Sequence, residues 1–158
     1  MATYNRTVTG GGTIGHPSNA AVPYVVTSPV WDTADGGTGG DIVQLIDVPA
    51  DTMIIAGCLE VLEARGNGQI TLDIGFTGGD VDTFMDASPL AAGMSPFLEA
   101  SIGASGSNCR MLTSADTIDA LILDGGSSGE SAARFRIHVC MVDVSVNPVE
   151  SATVSTGT

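Results

Sequence analysis

The segment Arg134–Asp143 alternates: Phe135, Ile137, Val139 and Met141 fall on one side of an extended chain, Arg134, Arg136 and His138 on the other. This period-two pattern predicts a half-buried strand. Gln69–Ile74 repeats it, with Ile70, Leu72 and Ile74 toward a core and Gln69, Thr71 and Asp73 toward water. Ile42–Val48 and Thr117–Leu123 are further strands. Met53–Glu63 has the Leu and Glu content of a helix, but Ile54-Ile55 and Gly57 favour a long strand bent or bulged at the glycine. Asn67-Gly68 predicts a hairpin into Gln69–Ile74, and Asp124–Gly129 a flexible hairpin loop between the last two strands. Residues 75–110 are expected to be mostly irregular, with one short helix over Pro96–Ile102. Five or more antiparallel strands at hairpin spacing predict an all-β antiparallel sandwich.

Residues 1–40 carry no helical period, and glycine clusters and Pro17, Pro23 and Pro29 interrupt their β-prone pieces. The expected division is an extended Gly/Pro-rich arm over residues 1–40, the sandwich over 41–146, and a polar tail over 147–158. In this reading the arm docks on a partner through Tyr4, Val25 and Trp31, and Gly36–Gly40 form its hinge. The alternative makes Tyr24–Thr27 and Val30-Trp31 edge strands of the sandwich itself.

Composition supports a folded chain: 43% of the 158 residues are hydrophobic, and the mean hydropathy is +0.29. With 18 acidic residues against five arginines and no lysine, the net charge is −13. Such a field repels nucleic-acid phosphates and anionic membrane surfaces, so neither is an expected partner. Two of the five arginines and one of the two histidines fall on one face of one strand, which marks Arg134, Arg136 and His138 as a patch seeking carboxylates at a subunit contact or on an acidic neighbour. The opposing reading is an ordinary solvated strand face.

Three cysteines without CxxC spacing, and no charged segment leading into an apolar run, predict synthesis in a reducing compartment. Cys58 and Cys140 are read as small core residues. No catalytic residue, cofactor motif or obligate metal is expected. The two histidines, His16 and His138, lack an activating context, and no GxSxG or phosphate loop occurs. Asp80, Asp82 and Asp86, and Asp32, Asp35 and Asp41, are oxygen donors suited to calcium but match no known loop, so they are read as solvated turn carboxylates.

Three segments, read in order, resemble a class of small tailed-phage structural proteins. Val43–Thr52 ends a strand in D-x-P-A-x-T, Thr71–Gly75 matches T-L-x-I-G before a loop holding Asp80 to Met85, and Ala115–Asp119 forms an A-D-T-I-D turn ahead of a final strand ending Val142-Asp143. The resemblance spans about residues 41–146, and the Ser101–Asn108 tract and the arm depart from it. It implies a jelly-roll-like sandwich and a capsid decoration (cement) protein. Such a protein is made in the host cytoplasm, carried on the outer capsid surface of a bacteriophage virion, bound to the major capsid protein and homo-oligomeric, with a trimer favoured. The competing reading is a tail-fibre or host-recognition module, which the shortage of aromatic side chains disfavours. A hydrolase or lyase on a β-sandwich lacks the base it would need.

Overall fold

The computed structural model describes residues 3–9, 23–35, 39–64, 70–76, 80–97, 110–123 and 133–145, with backbone alone for 3–9 and 97. His16, Cys109, the Ser101–Asn108 tract and the 147–158 tail lie outside them. The described residues form eleven strands: β1 Thr3–Thr9, β2 Tyr24–Thr27, β3 Trp31–Asp32, β4 Ile42–Val48, β5 Thr52–Glu63, β6 Thr71–Phe76, β7 Met85–Pro89, β8 Gly93–Phe97, β9 Arg110–Leu112, β10 Asp116–Ile122 and β11 Arg134–Asp143. They build the all-β sandwich that the alternation predicts.

Sheet one runs β1-β4-β10-β6-β7, and sheet two runs β2-β11-β5-β8, with β3 beside β11 and β9 beside β5. Every pairing is antiparallel except β1 with β4. β11 and β5 form the middle of sheet two. Phe135, Ile137, Val139 and Met141 are fully buried in one cluster with Ile54 and Leu59 of β5 and with Leu72, Ile74, Ile118 and Ile122 of sheet one.

Several expectations are corrected. Asn67-Gly68 and Asp124–Gly129 lie outside the described residues, but β5 and β6 belong to different sheets, as do β10 and β11, so neither pair is a hairpin. A turn signal says that the chain reverses; it does not say onto which sheet. β5 is bulged at Ile55 and Leu62 rather than at Gly57, because Cys140 and Met141 pair with Ala56 and Ile54, and Arg134 and Phe135 with Glu63 and Val61. The excursion after β6 contains three strands, and Pro96 and Phe97 lie in β8, where a helix was expected. Gly93 begins β8 with φ +129°, a conformation that side chains other than glycine rarely adopt.

The proline-flanked pieces near residue 30 are edge strands. β2 pairs with β11 from Thr27↔His138 to Tyr24↔Met141, and β3 pairs Trp31 with Phe135. Gly40, within the expected hinge, donates its N–H to the Ile122 carbonyl at 2.7 Å and so is tied to sheet one.

Candidate interaction surface

Residues directly opposite in an antiparallel pair share a face, which defines the outer surface of sheet two. Val25 and Thr27 of β2 stand beside Cys140 and His138 of β11; Ala56, Cys58 and Glu60 of β5 stand beside Cys140, His138 and Arg136; Pro96 and Met94 of β8 stand beside Cys58 and Glu60. At its centre is a polar network. Arg136 Nε donates to Glu60 Oε2, and His138 Nε2–H donates to the same oxygen at 2.9 Å. The other ring nitrogen, Nδ1, lies 2.9 Å from the Thr27 hydroxyl and accepts from it when the ring is neutral. The Arg136 and His138 hydrogen bonds hold the Glu60 carboxyl below its ordinary range.

Arg134 and Arg136 therefore each face a carboxylate of their own chain. Register supplies them: Arg136 pairs with Glu60, and Arg134 with Asp32, whose Oδ2 lies 4.0 Å from Arg134 Nε. Glu60 and Thr27 were not identifiable from sequence, since only the β5–β11 and β2–β11 registers bring them to His138.

Apolar side chains flank this network. Val25 is 66% exposed, Met94 63% and Met111, on β9 opposite Met53, 48%. Cys58 and Cys140 are half-buried free thiols on this outer surface and not core residues, because both share its face with His138. Burial, with the nearby Glu60 charge, pushes the Cys58 thiol up, so it remains protonated at neutral pH and is a poor nucleophile.

Of the remaining candidates, Tyr4 lies in β1 opposite Val43. Trp31 is 2% exposed and belongs to the core cluster, so it cannot serve as an exposed anchor.

The acidic residues gather elsewhere. Asp73, expected to face water, is 6% exposed, and its Oδ1 accepts the Ala87 N–H at 2.8 Å. Burial, with the charges of Asp86 and Asp82, pushes its carboxyl up. A side-chain hydrogen bond with Asp82 pushes Asp80 up as well. Among the described residues no group of three or more His, Cys, Asp or Glu side chains is arranged to hold a metal ion.

No family model and no curated protein matches the chain. Three solved structures share its fold. A chain of the acidic stable capsid structure of Helicobacter pylori bacteriophage KHP30 superposes with TM-score 0.57 at 13% identity, covering 77% of this chain and 88% of that one. A chain of the cyanophage Pam1 capsid asymmetric unit gives 0.60 at 14% identity, covering 82% and 91%. One from the capsid of Ralstonia phage GP4 gives 0.59 at 19% identity, covering 81% and 88%. In each case the shared fold takes in nearly the whole of the other chain.

Proposed function

We propose that this protein is a virion structural protein of a tailed phage, a capsid decoration (cement) protein that binds the major capsid protein on the outside of the head and stabilises capsomer contacts. The observation that carries the reading is the shared sandwich, which covers 88–91% of three chains from phage capsid structures. The apolar-flanked outer face of sheet two supports it, since an adhesive structural protein needs contact area and no reactive group. The experiment adds purified protein to heads assembled from the major capsid protein alone. Saturable binding, imaged as density on the outer shell, with a raised temperature of head disruption, is the expected result. Absence of binding overturns the proposal, and recovery of the protein at the tail tip favours the host-recognition alternative.

A further inference from the structure

We infer that Gln44 of β4 and Thr117 of β10 join covalently, the threonine hydroxyl displacing ammonia from the glutamine side chain to leave an ester that staples two neighbouring strands of sheet one. The two side chains already meet. The Gln44 amide N–H donates to Thr117 Oγ1 at 3.3 Å, an arrangement in which the hydroxyl oxygen accepts and keeps its own proton to give to a base. Gln44 Cδ lies one bond of ~1.33 Å beyond that nitrogen, so it stands on the order of 4 Å from Oγ1. A torsional adjustment within the glutamine side chain brings it to the ~3–3.5 Å of an attacking geometry.

A base and a dry setting stand beside the pair. Asp119 is directly opposite Gln44 and two residues along β10 from Thr117, and it is 2% exposed. Its other cross-strand neighbour is Gly75, where the missing side chain lets the Asp80 and Val81 backbone come down onto the sheet, since a Cβ there would lie within 2.6 Å of atoms of both residues. Burial of the base excludes water, the competing nucleophile. With Asp119 in that role the atoms balance. Thr117 Oγ1 attacks Gln44 Cδ while its proton passes to the Asp119 carboxylate; the tetrahedral carbon then collapses, the C–N bond breaks, Asp119 returns the proton to Nε2, and ammonia leaves. No oxidant or further reactant is consumed. Other covalent staples are closed to this chain or unused in it: it has no lysine to form an amide bridge with an Asn or Asp side chain, and Cys58 and Cys140 are free thiols.

The inference does not depend on decoration, since its test needs no capsid. Mass spectrometry of the purified full-length protein should find it lighter than its sequence by one ammonia. Cleavage after arginine in denaturant should release residues 7–65 and 111–134 as one joined species, and alkaline hydroxylamine, which cleaves esters and spares amides, should separate them. Thr117→Val and Gln44→Met, with far-UV circular dichroism matching wild type, should each give two separate peptides, and Thr117→Ser should stay joined. Asp119→Asn should lower the joined fraction of freshly made protein at least tenfold, whereas Asp47→Asn, at the carboxylate opposite Thr117, should not. A wild type that retains the ammonia overturns the inference. So does its loss without joined peptides, which assigns it to a cyclised asparagine such as Asn67 before Gly68, and so does a joined species that survives Thr117→Val. Full joining in Asp119→Asn overturns the assignment of that residue as the base.

Discussion

Asp73 and Glu60 respond to pH with opposite signs. Asp73 has a folded-state carboxyl raised above its ordinary 3.8, so the folded chain holds more protons than the unfolded one between those values, and stability rises as pH falls through that window. Glu60 is lowered from 4.5, and its contribution is lost only as pH falls below that value. Thermal unfolding followed across pH should therefore show Asp73 raising Tm as pH falls toward 3.8, and the Glu60 contribution being lost below 4.5. Asp73→Asn keeps an oxygen acceptor for Ala87 and removes the titrating proton; it should raise Tm at neutral pH and flatten the acidic climb. A climb unchanged in that variant would assign it to general relief of the net negative charge. Two further single residues probe close packing and strain. A Cβ on Gly75 would stand 2.3 Å from the Asp80 carbonyl oxygen, so Gly75→Ala should cost about 1–3 kcal/mol in chemical denaturation. Ala87 has φ 45°, where a side chain is strained by about 1–2 kcal/mol, and Ala87→Gly should leave stability unchanged or raise it.

At the scale of elements, β11 was the most legible part of the chain. Its parity separated Phe135, Ile137, Val139 and Met141 from Arg134, Arg136 and His138, and the same parity places Cys140 on the outer side with His138. Trp31 was misjudged because Pro29 and the glycines after it suggest a solvated arm. A bulky indole in a chain with 4% aromatics is instead used to cover Phe135. β7 and β8 were hidden by Gly, Pro and Ser, whose strand conformation is imposed by their neighbours β6 and β5. Asp73 was misread because alternation shows which side a residue takes, and says nothing of what later covers that side. The buried Val26 and Trp31 lead to a prediction: a chain beginning at Asp41 should be insoluble or molten by near-UV circular dichroism. A well-packed Asp41 chain would return both strands to the arm. Within β11, Ile137→Ala should cost about 2–5 kcal/mol in urea denaturation through the cavity it leaves.

Across the whole molecule, the outer sides of the two sheets differ. That of sheet one carries the buried carboxylates Asp73 and Asp119, whereas sheet two turns out exposed apolar side chains around an internally paired network. The fold class was readable from sequence, and the outer surface of sheet two was half readable, in its cations and in Val25; the acids that neutralise it needed the register. The position of β11 has a separate consequence for synthesis. It is the last of the described strands to leave the ribosome, yet it lies between β2 and β5 in the middle of sheet two. Until it arrives, those two strands have no common neighbour and keep open hydrogen-bonding edges, the kind that capture other chains. Products stopped short of Arg134 should accordingly aggregate, so that defective copies are withdrawn before they can compete with complete ones for a place in an assembly.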